Sequence, residues 1–225
     1  MEATKNWELK DDVVVRHLVP VYPVPREGKF DDRVEDDGLA VSMQGNYDNK
    51  RRDYASIFSQ LEKLLNSPGL DRSKVSKISL HVVGHGSAPL APETIRNHVF
   101  IDSDLQYLDY YPLLSRTVAL LPAFATDDYL DSKASSSIPT SLMAGTPLVA
   151  DKYILDAYAY LPKEVVWFKE ENQTDMQVVE SVIQMSAEQR KKKIEQVRRR
   201  CSAIIEENIV TVGRWLNSAL YSREL

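Results

Sequence analysis

The sequence predicts an α/β fold of the doubly wound kind, and three observations carry that prediction. Short apolar runs alternate along the chain with longer stretches whose apolar residues recur at helical spacing. One run, residues 118–124 (VALLPAF), is apolar without alternation, the pattern of a parallel strand buried on both faces. The last third of the chain ends in one long amphipathic stretch.

Taken in order, residues 13–15 and 18–24 are short apolar runs, and Pro20, Pro23 and Pro25 suit an extended crossing segment better than a central strand. Residues 26–38, with Asp31, Asp32, Glu35, Asp36 and Asp37, read as a solvated acidic loop. Residues 39–43 (LAVSM) form the first core strand, and Gln44-Gly45-Asn46 the turn after it. In residues 48–65, Tyr54, Ile57, Phe58, Leu61, Leu64 and Leu65 make one helical stripe, ended by Asn66-Ser67-Pro68-Gly69. Residues 78–83 (ISLHVV) are the second strand, closing on Gly84-His85-Gly86, and residues 99–101 a third, ending at Asp102. A short helix over 105–115 leads to the fourth strand at 118–124.

Residues 131–151 (DSKASSSIPTSLMAGTPLVAD) come next. Three serines precede Ile138-Pro139, and proline is accepted in a first helical turn, where its missing N–H would have no partner. A serine there is a preferred N-cap; Gly145 stops the helix, and residues 148–150 read as a fifth strand. Residues 154–161 are helical, 165–168 (VVWF) a sixth strand, and 175–185 and 187–220 helices. In the last of these, Ile194, Val197, Cys201, Ile204, Ile205, Ile209, Val212 and Leu216 line one face. The sum is a Rossmann-like, mainly parallel six-stranded sheet covered on both faces, with a long C-terminal helix. Residues 1–38 form an extended segment leading into one α/β domain at 39–225.

Ligands in such sheets bind beyond the carboxyl ends of the strands. At those ends the sequence places Gly45, then Gly84, His85 and Gly86, then Asp102, then the serine loop. A serine-rich loop at a helix N-terminus offers hydroxyls, N–H groups and a positive dipole end, the local chemistry of a phosphate site; a capped helix with no ligand has the same local sequence. Residues 44–52 (QGNYDNKRR) set three cations after a glycine turn, where they oppose the dipole of the helix they begin unless they meet an anion. His85, between two glycines, could bond a phosphate or base, act as a general base, or sit at the surface. Asp102 could cap the helix near Leu105. His81 reads as a hydrogen-bonded core residue. Asp127, Asp128 and Asp131 are solvated carboxylates that would repel a diphosphate unless a metal or Lys133 offset them.

Composition bounds the rest. The chain has 225 residues, 43% hydrophobic and 27% charged, as in an ordinary globular protein. A net charge of -5 argues against nucleic acid as a partner. The single cysteine, Cys201, excludes an intrachain disulfide, and no histidine pair has ligand spacing, so no metal is expected. No apolar run approaches a membrane span, and residues 1–12 lack the features of a signal peptide, so the expected location is cytoplasmic. Arg190, Lys191, Lys192 and Lys193 with Arg198, Arg199 and Arg200 form a solvated basic face, with contact to an anionic membrane surface as the alternative.

Residues 137–149 (SIPTSLMAGTPLV) resemble the donor-site segment of nucleotide-sugar glycosyltransferases of the two-domain GT-B type. In that family a loop and short helix ending in Gly-Thr-Pro, followed by a strand, hold the donor diphosphate and ribose. The resemblance implies roles for Ser135, Ser136, Ser137 and Thr140 at the phosphates, and for Gly45, Lys50 and Arg51 in the basic loop after the first strand, with Arg52 in reserve. It implies that Gly84, Gly86 and Asp102 lie near the ribose and base, where the family grips the base through backbone groups. Retaining members carry two glutamates in this segment with seven residues between them; those places fall at Ser132 and Thr140, and neither is acidic. That departure leaves inverting chemistry or loss of activity open.

The resemblance runs from about Leu39 to Val182 and implies a donor-binding half, with residues 20–25 as the linker entering it and the last helix crossing back. The acceptor-binding domain that the family places in front is absent, so a separate acceptor domain or subunit is the expected partner. The expected function is binding of a nucleotide-diphospho-sugar, a UDP-sugar first, as substrate and with no cofactor, for glycosyl transfer; His85 is the one candidate base. A non-catalytic nucleotide-binding or regulatory module is the alternative. An unrelated doubly wound enzyme is disfavoured, because neither Gly-x-Gly-x-x-Gly nor a P-loop follows the first strand.

Overall fold

The structure, a computed structural model, describes residues 17–24 and 39–221. The expected apolar run at 13–15 and acidic loop at 26–38 lie outside the described residues. Six parallel strands form one sheet in the order β3-β2-β1-β4-β5-β6: β1 (Leu39–Asn46), β2 (Ile78–His85), β3 (Val99–Ser103), β4 (Ala119–Leu121), β5 (Leu148–Ala150) and β6 (Val166–Phe168). Among the described residues the α-helices are α1 (Tyr54–Leu65), α2 (Arg72–Val75), α3 (Tyr107–Ser115), α4 (Asp128–Asp131), α5 (Ser137–Ala144), α6 (Lys152–Ala157), α7 (Asp175–Gln184) and α8 (Ala187–Tyr221).

Alternation along the strands builds two cores. Val41, Met43, Leu80, Ala119, Leu121, Val149 and Trp167 face α1 and α7, meeting Ile57, Leu61, Val179 and Ile183. Leu120, Leu148, Ala150 and Val166 face the other way, against Leu114 of α3, Ile138 and Leu142 of α5, and Val197, Cys201 and Ile204 of α8. Burial on both faces explains why β4 and β5 read as unbroken apolar runs. Each fully buried leucine or isoleucine contributes about 1.5–3 kcal/mol. After Ile204, the described side chains of α8 are at most half-buried, although its sequence stripe continues to Leu216.

Several boundaries move from the sequence expectation. Gln44-Gly45-Asn46 is not a turn: β1 continues through it, and β2 continues through Gly84 and His85, with Gly45 opposite Gly84 and Asn46 opposite His85. Two glycines facing each other let the backbones stay paired where side chains would collide. The first helix starts at Tyr54, not Asp48, because the Asp53 carboxylate accepts from the Ser56 N–H at 3.0 Å and caps it. Lys50, Arg51 and Arg52 therefore lie in a turn before that cap, so the expected conflict with the helix dipole does not arise. β4 is shorter than expected, ending before Pro122, and Ala123 takes a positive φ of 47°. The strands pass outward from β1 to β3, then the chain returns to the other side of β1 at β4. That reversal between β1 and β4 is the topological switch point, where an open α/β sheet forms its ligand crevice.

Candidate functional site

The crevice at the switch point holds two neighbouring cavities with a shared wall, Gln44-Gly45-Asn46 at the end of β1. The first, about 370 Å³, is closed by Arg51 and Arg52 on one side and by Tyr129, Lys133, Ala134, Ser135 and Ser136 on the other. The second, about 410 Å³, lies toward β2 and β3 and is lined by Val83, Gly84, His85, Asp104, Leu105, Gln106 and Tyr110.

Arg52 organises the first cavity. Only 4% of its surface is exposed. Its Nε donates to the Gln44 carbonyl at 3.1 Å, one terminal nitrogen to the Arg51 carbonyl at 3.2 Å, and the other to Ser137 Oγ at 3.0 Å. The guanidinium carbon sits 5.6 Å from the Phe124 ring centre and 5.5 Å from that of Tyr129, two rings stacked on each other. Burial draws its pKa below the ordinary value, but arginine stays protonated at neutral pH. Among the described residues no carboxylate forms an ion pair with it. A charge so placed is costly unless something anionic meets it. Gly45, at φ +140°, makes the position possible: a Cβ there would lie 2.9 Å from the Arg52 terminal nitrogen.

The serine loop faces this cation. Gln44 Nε2 donates to Ser136 Oγ at 3.2 Å and Ser137 Oγ at 3.1 Å, tying the end of β1 to the start of α5. Ser136 holds the N-cap position but makes no side-chain cap bond; Ser135 supplies the hydroxyl instead, accepting from the Ser137 N–H at 3.2 Å. The Ser135 N–H donates to the Tyr158 hydroxyl, which donates to the Tyr129 carbonyl. Ser135 and Ser137 are buried and Ser136 is exposed. Lys133 pairs with Asp128 at 2.6 Å, so that cation offsets a nearby carboxylate.

Of the residues expected from the sequence, Gly45, Arg51, Ser135 and Ser136 line the first cavity, and Gly84 and His85 the second. Ser137 sits behind the wall as the hydrogen-bond partner of Gln44 and Arg52. Lys50 is exposed and lines neither cavity; its N–H donates to the Asp48 carboxylate at 2.8 Å. Thr140 is buried in α5 beside Tyr110, and Gly86 lies past the end of β2; neither lines either of these two cavities. Asp102 does not cap α3, whose N-cap is Gln106: it points along the sheet and bonds His81 Nδ1 at 2.8 Å. His81, in turn, stacks on Phe100 with ring centres 5.1 Å apart; it is hydrogen-bonded as expected, but half-buried rather than a core residue.

Four contributors escaped the sequence argument. Arg52 stood only in reserve, because a helix drawn from Asp48 placed it on a solvated turn. Gln44 reads as a turn residue, yet a polar side chain closing an apolar strand is a signal of a site at the strand end. Asp104, at φ 54°, donates its N–H to the Gly84 carbonyl at 2.9 Å and hydrogen-bonds His85 Nδ1 through its carboxylate, bracing the rim of the second cavity. Tyr110 lines that cavity as a neutral donor, since burial pushes its phenol up to about 12.

No protein-family model matches the chain, and no curated protein matches it. Solved structures do. WaaG, a glycosyltransferase involved in lipopolysaccharide biosynthesis, superposes with a TM-score of 0.55 at 16% identity over 75% of this chain and 44% of that one. A UDP-forming alpha,alpha-trehalose-phosphate synthase from Burkholderia xenovorans gives 0.54 at 11% identity over 84% and 44%. S. aureus TarM, in a complex that includes UDP, gives 0.58 at 12% identity over 96% and 42%. The chain thus spans less than half the length of each. At these identities the likeness is one of fold alone: this chain's fold is similar to that of a part, less than half, of each of these proteins.

Proposed function

We propose that this domain binds a nucleotide-diphospho-sugar and serves as the donor-binding half of a glycosyltransferase, with a UDP-sugar as the first candidate donor. One observation carries the proposal: Arg52, a buried cation with no carboxylate partner among the described residues, lines a cavity at the switch point of the sheet. The diphosphate would meet Arg51, Arg52, Lys133 and the hydroxyls of Ser135 and Ser136. The nucleoside would occupy the second cavity, over the shared wall, against Gly84, Leu105, Gln106 and Tyr110. The acceptor would come from a further domain or subunit, a reading supported by the chain's spanning less than half the length of the proteins it superposes on.

The test compares UDP with uridine. A ligand that binds only the folded state at a hundredfold excess over its Kd stabilises it by about 2.7 kcal/mol, or about 5–10 °C in melting midpoint for a chain of this size. UDP is expected to give a shift of that order and uridine a much smaller one. Equal shifts, or none with any nucleoside diphosphate at millimolar concentration, would remove the phosphate assignment.

A non-catalytic nucleotide-binding module is favoured by a different observation. Among the cavity-lining residues the one carboxylate is Asp104 and the one imidazole His85, and they are bonded to each other at an exposed rim. Glycosyl transfer needs an acceptor hydroxyl held near the anomeric carbon, with a base to take its proton. The chain alone is therefore expected to show no transfer in a radiolabelled-sugar assay, and at most slow hydrolysis of the sugar nucleotide. Robust transfer by the chain alone, lost in His85→Ala, would make the domain a self-sufficient enzyme.

A further inference from the structure

At the β6 edge of the sheet, three strands from β1, a cavity of about 460 Å³ opens between β6, α7 and the start of α8. Its walls are apolar, with Trp167, Val178, Val182 and Met185, and two lysines, Lys163 and Lys193, stand beside them. Each ammonium lies over an aromatic face: Lys163 Nζ is 3.5 Å from the Phe168 ring centre, and Lys193 Nζ 5.3 Å from that of Trp167. Lys193 Nζ also donates to the Glu164 carbonyl at 2.8 Å. Among the described residues neither ammonium makes an ion pair. The single acidic side chain lining the cavity, that of Glu164, is exposed. Two cations held by rings and a carbonyl, against one solvated carboxylate, leave the cavity electropositive above an apolar floor.

We propose that this cavity binds a small amphipathic anion, with a hydrocarbon or aromatic body against Trp167, Val178, Val182 and Met185, and one carboxylate on Lys163 and Lys193. A neutral apolar ligand would leave the half-buried Lys193 ammonium and the exposed Lys163 ammonium beside it with no counter-charge of its own. An added peptide strand does not fit, because Val166 is only 1% exposed and its backbone is not offered at the sheet edge. The site is independent of the nucleotide crevice.

Calorimetric titration of the 225-residue chain with octanoate, 1-octanol and octylammonium separates the contributions of charge and chain. Octanoate is expected to bind about tenfold or more tighter than octanol, since hydrogen bonds to charged groups are the stronger kind, and octylammonium should not bind. In the Lys163→Met, Lys193→Met double variant, octanoate should fall to the level of octanol, while the UDP-induced thermal shift is unchanged. Should that variant fail to fold, Ser181→Phe, a substitution at an exposed lining residue, should by itself abolish octanoate binding. Equal affinity for octanoate and octanol overturns the proposal. So does undiminished octanoate binding in the folded double variant or in Ser181→Phe.

Discussion

Gly84→Ala is expected to destabilise the domain by about 3 kcal/mol or more, through a contact that no rotamer change can relieve. A Cβ at Gly84 would lie 2.1 Å from the Gly45 carbonyl oxygen and 2.6 Å from Cε1 of Tyr47. The first neighbour is backbone of the paired strand, so β1 and β2 must separate at their carboxyl ends. The second is a ring fixed by its hydroxyl, which donates to the Val82 carbonyl at 3.1 Å and meets Ser103 Oγ at 3.2 Å. The disturbance falls on the wall shared by the two cavities, so nucleotide binding should weaken along with stability. Gly213→Ala is the matched control: in α8 nothing lies within 4 Å of its Cβ, and alanine there should stabilise by about 0.5–1 kcal/mol. Urea denaturation of the three proteins decides it. A Gly84→Ala midpoint equal to that of the parent chain would mean that the β1–β2 approach is looser than described.

The pattern of apolar runs was enough to read six strands, their parallel sense and the helices between them, because every strand of this sheet but β3, whose Phe100 and Ile101 are exposed, carries its own burial signal. Val149 faces one core while Leu148 and Ala150 face the other, and such a strand has to be apolar throughout. Boundaries at the strand ends were less legible. Glycine and asparagine are turn residues by propensity, yet Gly45 and Asn46 are paired strand residues because Gly84 lies opposite Gly45. That is a tertiary fact with no local trace. The misplaced start of α1 had a local signal, since Asp53 followed by the stripe from Tyr54 is an N-cap pattern. Reading it would have moved Arg52 from a helix face to the loop that enters the crevice.

The serine loop shows the opposite balance. Its chemistry was visible in sequence, but which serine does what depends on partners more than eighty residues away: Gln44 reaches Ser136 and Ser137, and Arg52 reaches Ser137. A local rule assigns the cap to the residue before the helix. The observed bond comes from Ser135, leaving Ser136, an exposed residue at the cavity, with the Gln44 amide as the partner of its Oγ. Hydroxyls held by neutral amide donors and facing buried and half-exposed cations form a wall of donors, which is the arrangement a phosphate needs.

Arg52→Met is expected to abolish measurable nucleoside diphosphate binding while changing the stability of the unliganded chain little. Loss of one partner from a buried charge pair costs about 2–5 kcal/mol in binding, so the Kd for UDP should rise about thirtyfold or more. Folding stability responds differently because two effects oppose each other. Methionine leaves the Gln44 and Arg51 carbonyls and Ser137 Oγ without the guanidinium donors, at a cost of about 1–3 kcal/mol for each group that water cannot reach. It also removes a desolvated charge that has no carboxylate partner among the described residues, and replacing buried charge by apolar volume is often neutral or stabilising. Methionine keeps most of the length of the stem against Phe124 and Tyr129, the two rings that flank the guanidinium. Arg52→Lys separates charge from shape: a lysine keeps the cation without the planar fork that reaches Gln44 and Ser137 together, so UDP affinity should fall between those of the other two proteins. Calorimetry with UDP and chemical denaturation without it, on the same three proteins, give both quantities. If Arg52→Met binds UDP as the parent chain does, Arg52 is a structural pin for the β1 end and the serine loop, and the diphosphate must be held elsewhere. If instead the unliganded variant collapses in stability and binding cannot be measured, Arg52→Lys decides, since a purely structural role predicts full UDP affinity in any variant that folds.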